Sequence, residues 1–383
     1  MKAYSSMKHI LTVIGARPQI IKAAALSRAI RHHYADRLRE TIVHTGQHYD
    51  ANMSQVFLEE LGVPAPEHNL EVGSGSHGAQ TARMLEGIER ILLDDRPDAL
   101  LVYGDTNSTV AGSLAAIKLG IPVVHVEAGL RSFNKAMPEE VNRILTDHAS
   151  TLLFTPTVTG MYNLKAEGFN TEAQAPYHAD HPGVFHCGDV MYDNSLHFAA
   201  QAAHLQVAES HGVTGEYILA TCHRPSNTDT AEALHNVLGT LLEVSAQLPV
   251  VLPLHPRTRA RLEALAPELL VQLEAAETVH LIPPVSFLEM IDLEARCALV
   301  MTDSGGVQKE AFFFKKPCVI LREQTEWVEI VDNGNALLAG ADPVRIREAF
   351  AQLRSAKALT YPPFYGDGHA AEFIAARILD SLV

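Results

Sequence analysis

No apolar run in the 383 residues approaches the length of a membrane span. The short run from Ile10 to Ile14 is not followed by a signal-peptide cleavage pattern and reads as a strand, so a cytoplasmic protein is expected. Paired cysteines are also lacking. Cys187, Cys222, Cys297 and Cys318 are scattered, without a Cys-x-x-Cys, and read as reduced core or pocket thiols. Basic residues are in deficit: 30 Lys and Arg stand against 45 Asp and Glu, a net charge of −15. A chain that recognises nucleic acid or a membrane surface needs a basic face, so neither partner is expected, and any anionic ligand must be held by local groups. Gly-x-Gly-x-x-Gly is absent from the start of either half, which argues against a nicotinamide cofactor. His-Glu-x-x-His and Cys/His sets of ligand spacing are missing as well, and no metal is expected. There is no low-complexity segment, and the six residues before Met7 carry no pattern and read as a dispensable extension.

What is present is an alternation of short β-rich runs with helical patterns. HILTVI, TIVHT, ALLVYG, VVHVEA and TLLFT are separated by helices, the first from about Pro18 to Arg31. The rhythm lapses between Asn170 and Gly183, resumes at VFHCGDV, and continues through YILAT, VVLPL, VHLIP, ALVMT, PCVIL and NALLAG. This predicts an α/β protein of two doubly wound, Rossmann-like domains facing a cleft, joined near residues 185 to 205. The expected limits are 1–185 for the first domain and 186–365 for the second. A last helix, from about Ala370 to Val383, is expected to pack back on the first domain.

The most informative stretch is ALVMTDSGGVQKEAFFFKKPCVIL, residues 298 to 321, a buried strand that runs into Asp-Ser-Gly-Gly and then a helix. Ser304, Gly305 and Gly306 suit an anion pocket, because glycine allows close backbone approach and a helix N-terminus offers N–H groups with partial positive charge. Glu310, six residues after Ser304, is placed to accept hydrogen bonds from ribose hydroxyls. A tight structural turn explains the same pattern equally well.

In the first half, GARPQIIK sets Arg17 and Lys22 after the first strand, where both suit a diphosphate or, more blandly, a solvated turn. Asp105 follows ALLVYG and is either a site carboxylate or a helix cap. Glu127 follows the hydrophobic run VVHV, and His125 and Glu127 are expected on one face of that strand. Pro138-Glu139-Glu140 opens a helix carrying Arg143 and His148, a good helix start in its own right. Asp105, Glu127 and Glu139 together can converge on a pocket and supply acid and base in one place. In the second half His223 and Arg224 follow one strand and His255 another, opposite the DSGG turn, while Arg322 and the Thr325-Glu326-Trp327 turn form a rim.

GARPQIIK, TGQHYD, YGDTNST, HVEAGLRS, MPEEVNRILTDH, GDVMYDN, the His223-Arg224 pair, LHPRT and TDSGGVQKEA occur in an order and spacing that resemble the non-hydrolysing UDP-N-acetylglucosamine 2-epimerases over nearly the whole chain. The resemblance implies a fold like the B-type glycosyltransferases, a homodimer, a UDP-sugar substrate and no external cofactor. It assigns Asp105, Glu127, Glu139 and His223 to catalysis. Arg17, Lys22, Gln47, Arg143, Arg224, His255, Phe287, Ser304, Gly305, Gly306, Glu310 and Arg322 are assigned to substrate binding. The implied reaction inverts C2 by eliminating UDP to a 2-acetamidoglucal and adding it back. RSFN, DSGGVQKEAFFFKKPC and REQTEWVE look more like the branch acting on UDP-2,3-diacetamido-2,3-dideoxyglucuronate, and Pro225 stands where the UDP-GlcNAc branch more often has Arg. A glycosyltransferase on the same fold is the alternative of another class; it predicts turnover only with an acceptor and leaves three carboxylates without a task.

Overall fold

The computed structural model describes residues 7–47 and 57–382. The six residues before Met7 and residues 48–50, the end of TGQHYD, lie outside the described residues. Two compact units emerge: the described residues up to Asn194 together with those from Pro363 onward, and Ser195–Pro362.

The first unit is built on seven parallel strands: β1 Lys8–Ile14, β2 Leu38–His44, β3 His68–Asn69, β4 Ala99–Tyr103, β5 Val123–Val126, β6 Leu152–Thr155 and β7 Gly183–His186. Their order is β3-β2-β1-β4-β5-β6-β7. The central strands are buried on both faces, as a parallel sheet covered by helices requires: all five residues of β4 and all four of β5 are buried. The strand order reverses between the parallel neighbours β1 and β4, the switch point of a doubly wound sheet, where Val13 pairs with Val102. Helix His77–Asp94 covers one face with Met84, Ile88 and Leu92 at four-residue spacing, against Leu11, Val13, Leu100 and Val102.

At the switch point Gly15 is fixed by space. A Cβ there would stand 2.0 Å from Thr45 Oγ1 and 2.3 Å from Ser108 Oγ. Those two hydroxyls share a 2.8 Å hydrogen bond across the ends of β2 and the helix after β4, so a side chain would part them.

The second unit repeats the plan with β8 Ile218–Thr221, β9 Val250–Pro253, β10 Val279–Ile282, β11 Leu299–Thr302, β12 Cys318–Ile320 and β13 Ala336–Leu338. The order β10-β9-β8-β11-β12-β13 is that of the first six strands of the other sheet, with every pair parallel. Both units are therefore Rossmann-like.

Several limits differ from the sequence expectation. The division falls between Asn194 and Ser195, inside helix Val190–Ala202 and within the expected join at 185 to 205, past the limit of 185 because β7 pairs along its length with β6. The first helix runs Arg17–Ala29 and ends in one wide turn, Ile30–Tyr34. The last helix is Ala370–Ser381, belonging to the first unit. Asp193 caps it, accepting from the N–H groups of Ala370 at 3.2 Å and Ala371 at 2.8 Å. Among the described residues no helix is long and apolar enough to cross a membrane, and no three His, Cys, Asp or Glu are grouped to hold a metal ion.

Candidate active site

In the first unit the sequence-expected residues gather at the carboxyl ends of β1, β4 and β5. Gln19, buried in the first helix, pins the turns there. Its Oε1 accepts from the N–H groups of Gly15 at 2.9 Å and Ala16 at 3.1 Å, and its Nε2 donates to Tyr103 O at 3.1 Å. One turn on, Lys22 Nζ donates to Glu127 Oε1 at 2.6 Å. Gly104 lies against this pair, since a Cβ on it would stand 3.1 Å from Lys22 Nζ and 3.5 Å from Glu127 Oε1. Glu127 leaves β5 with a φ of 73°, a left-handed conformation that an ordinary strand end does not need.

That φ overturns one expectation. His125 and Glu127 do not share a strand face, because the alternation stops at Val126. His125 is fully buried, bonded through Nδ1 to Asp147 at 2.7 Å and through Nε2 to Gly104 O at 2.8 Å. Asp147 is also reached by Arg131 Nη1 at 2.7 Å. Burial alone would raise the Asp147 carboxyl, but the bonds from His125 and Arg131 outweigh it and hold it below the usual range. This buried set supports the Gly104-Asp105 turn from below.

Asp105 is not the cap of the helix that follows. Thr106 takes that role, its Oγ1 accepting from Thr109 N at 3.4 Å. Asp105 Oδ2 instead accepts from Arg143, through Nε at 3.1 Å and through Nη2. The paired glutamates divide their work. Glu140 is buried and ties down the preceding loop, accepting from Ser132 N and Oγ and Phe133 N, each at 2.9 Å, and from Arg143 Nη1 at 2.9 Å. Glu139 is exposed on the first turn of Pro138–Ala149. Arg143 thus orients a candidate catalytic carboxylate while bound to a structural one. Arg17 is exposed at the start of its helix, its guanidinium 4.6 Å from the Phe57 ring centroid. Gln47 Oε1 accepts from Ser108 Oγ at 2.7 Å.

In the second unit the central residue is one that sequence reasoning passed over. Asp303 is completely buried, yet gathers His223 Nδ1 at 3.1 Å, the His223 and Arg224 N–H groups at 2.9 Å each, and Asn227 Nδ2 at 3.0 Å. Burial would raise its carboxyl, but these donors, His223 first, overcome that and hold it below the ordinary aspartate range. With Nδ1 turned to Asp303, His223 presents Nε2 outward from a side chain that is 39% exposed. The His255 ring is 5.9 Å away and its Nδ1 accepts from Arg257 N at 3.2 Å. Its pKa is lowered by burial and by neighbouring His223 and Arg257.

The Asp-Ser-Gly-Gly turn forms as the sequence suggests. Ser304 caps helix Gly305–Phe313, its Oγ accepting from Val307 N at 3.5 Å, and Gly305 and Gly306 occupy the first two helical positions. Glu310 is 8% exposed, with Oε2 3.6 Å from where a Gly306 Cβ would stand. Arg322 reaches the same turn but is clasped by Glu326 in two bonds of 3.1 Å, and Trp327 Nε1 donates to Gly305 O at 2.9 Å. Arg224 Nε donates to Asp303 O at 3.2 Å. Phe287 is buried edge-on to Phe198, 5.5 Å between centroids.

The donors and carboxylates are thus present in two sets, each inside its own unit. One set suits proton transfer at carbon, with two salt-bridged carboxylates and one exposed carboxylate. The other suits an anion and a sugar diol, with a helix N-terminus, an oriented imidazole and a buried glutamate.

Comparison with known proteins gives the family. The UDP-N-acetylglucosamine 2-epimerase family model matches residues 30–379. A UDP-2,3-diacetamido-2,3-dideoxy-D-glucuronate 2-epimerase of Pseudomonas aeruginosa is 50% identical over 368 residues, covering 96% of this chain and 98% of its own. A UDP-N-acetylglucosamine 2-epimerase homolog of Methanococcus maripaludis is 47% identical, covering 94% of this chain and 97% of its own. The crystal structure of Methanocaldococcus jannaschii UDP-GlcNAc 2-epimerase in complex with UDP-GlcNAc and UDP superposes with a TM-score of 0.84 at 38% identity, covering 97% of this chain and 99% of that one. With a family match over most of its length and relatives of this identity end to end, the chain belongs to the UDP-N-acetylglucosamine 2-epimerase family.

Proposed function

We propose that this isomerase inverts C2 of a UDP-N-acetylhexosamine by elimination and re-addition of UDP. The C2 proton is not acidified by a neighbouring carbonyl, so direct abstraction faces a prohibitive barrier. Breaking the C1–O bond to UDP as the C2 proton leaves gives a 2-acetamidoglucal; re-forming that bond with a proton delivered to the opposite face of C2 gives the epimer. Atoms balance without a redox cofactor or water. The observation that carries this reading is the pair of salt-bridged carboxylates at adjacent strand ends, Glu127 held by Lys22 and Asp105 held by Arg143. With the exposed Glu139 they supply the proton acceptor, the proton donor and a stabiliser for positive charge at C1. Within the second unit, the Ser304-Gly305-Gly306 helix start and His223 suit the leaving diphosphate, and Glu310 the ribose diol.

The 50% identity to the Pseudomonas aeruginosa enzyme, against 38% to the Methanocaldococcus jannaschii one, favours a second reading of the substrate alone: the same chemistry on UDP-2,3-diacetamido-2,3-dideoxyglucuronate. A homodimer and a cytoplasmic location follow from the family resemblance, and sedimentation of the purified chain tests the first.

Proton NMR in D₂O with each UDP-sugar separately tests the chemistry. Deuterium entering C2 with a manno-configured UDP-sugar accumulating is the expected result, and the sugar that reacts is the substrate. Accumulation of free sugar and UDP would make the enzyme a hydrolase, and turnover only after an acceptor is added would make it a glycosyltransferase.

A further inference from the structure

Glu294 sits on helix Phe287–Arg296 with no solvent exposure, and among the described residues neither carboxyl oxygen meets a hydrogen-bond donor. The ionisable group that acts on it is a second carboxyl, Glu310 on helix Gly305–Phe313. The other groups near it are no counter-charge. The Cys297 and Cys318 thiols both feel Glu294 and are themselves pushed up by burial, and Lys316 acts on Cys297 rather than on Glu294. A buried carboxylate with neither donor nor cation is among the most costly groups a fold can hold, and a second carboxyl beside it adds like-charge repulsion. One proton between them removes the conflict. It belongs to Glu294, the deeper of the two, whose carboxyl is pushed up by burial and by Glu310 beside it.

We propose that Glu294 is a positioning residue: as a carboxylic acid it donates its O–H to Glu310 and holds that carboxylate toward Gly306, where it meets the vicinal hydroxyls of a nucleoside diphosphate's ribose. No bond is made or broken in this role. The proton stays on Glu294, and Glu310 keeps its negative charge and one lone-pair direction for the diol. Fixing Glu310 in advance strengthens its bonds to the ligand, because the carboxylate need not be ordered on binding. The proposal rests on the reading of Glu310 as a ribose contact.

The test uses the whole chain as wild type, Glu294→Gln and Glu294→Leu, with UDP and 2′-deoxy-UDP as probes in titration calorimetry. Gln keeps an N–H donor for Glu310 and Leu keeps only volume. A wild-type preference for UDP of roughly tenfold is expected, the scale of one hydrogen bond to a charged group. Glu294→Gln should retain it, and Glu294→Leu should lose it while binding 2′-deoxy-UDP as the wild type does. In the infrared, the wild type at neutral pH should show a buried carboxylic acid carbonyl band that disappears in Glu294→Gln. Absence of that band overturns the proposal even should Glu294→Leu fail to fold, as does full discrimination by Glu294→Leu. A wild type that carries the band and binds UDP without ribose preference overturns the ribose contact. One that does not bind UDP at all overturns the nucleotide-sugar reading itself.

Discussion

Lys22 Nζ donates to Glu127 Oε1 at 2.6 Å, and the two side chains are only 11% and 10% exposed. The pair joins the first helix to the residue that leaves β5 in a left-handed conformation. A largely buried ion pair contributes little net stability while intact, but removing one partner strands the other charge. Lys22→Met is therefore expected to lower unfolding free energy by ~3 kcal/mol, and Lys22→Met/Glu127→Gln to recover most of that loss. Turnover should be lost in both. Urea unfolding of the single and double variants, set against their rates, separates the structural from the chemical part; equal stability of the single variant and the wild type would remove the ion pair from the account.

Asp105 and Glu139 differ in surroundings though both are assigned to proton chemistry. Asp105 is gripped by Arg143, whereas Glu139 is exposed on a helix start. Both Asp105→Asn and Glu139→Gln should slow C2 deuterium exchange by about 10²–10⁴-fold, the usual weight of a general acid or base. Stability should fall only for Asp105→Asn, since surface substitutions away from such contacts stay within about 0.5 kcal/mol. Affinity for UDP, here assigned chiefly to Ser304, Gly305, Gly306, His223 and Glu310 of the other unit, should change by less than about threefold in either variant. Loss of UDP binding in a folded variant would assign that carboxylate to the nucleotide instead.

Sheet order was only partly readable from the sequence. Alternating apolar runs reveal parallel strands, and the Gly, Asp and Glu that follow them reveal sheet-end sites, because strand-flanking residues are local. Which strand lies beside which is not local. Asp303 reaches His223 because β11 pairs with β8, Thr302 opposite Thr221, across some eighty positions of chain. Without that adjacency Asp303 reads as part of a glycine turn and His223 as a lone histidine. Gln19 was equally hidden, since its four bonds link the end of β1 to the end of β4 and the helix beyond. Glu139 and Glu140 are indistinguishable in sequence as acids at a helix start; only the return of loop 132–133 onto Glu140 separates them.

Asp303 is worth removing for what it does to His223. In Asp303→Asn one acceptor oxygen becomes a donor, so some of the His223, Arg224 and Asn227 donors lose their partner, and the buried network should weaken by ~3 kcal/mol at pH 7. Because the folded-state pKa of Asp303 is depressed, its contribution is present above the ordinary aspartate value and is lost as pH falls through the lower folded value. The stability gap between wild type and Asp303→Asn should therefore be widest near neutrality and close below about pH 4. Turnover should fall at least ~10²-fold at pH 7, because the imidazole is no longer held in one tautomer. A gap that stays constant with pH would mean Asp303 is not ionised in the fold.

Asp193 predicts the opposite slope. Burial, only partly offset by the Ala371 and Ala370 N–H groups, pushes its carboxyl up from 3.8 to about 6. The folded state then holds a proton that the unfolded chain has already released between those values, so its contribution to stability declines as pH rises from about 4 to about 6. Asp193→Asn has no such proton and loses part of the helix cap. It should be the less stable protein at pH 4, and its deficit should shrink by up to about 3 kcal/mol by pH 7, at about 1.4 kcal/mol per unit. Thermal or urea unfolding of both proteins at pH 4, 5, 6 and 7 reads this directly. A deficit that grows across that range would show that the Ala370 and Ala371 bonds hold Asp193 as a carboxylate throughout, and that burial is the weaker influence.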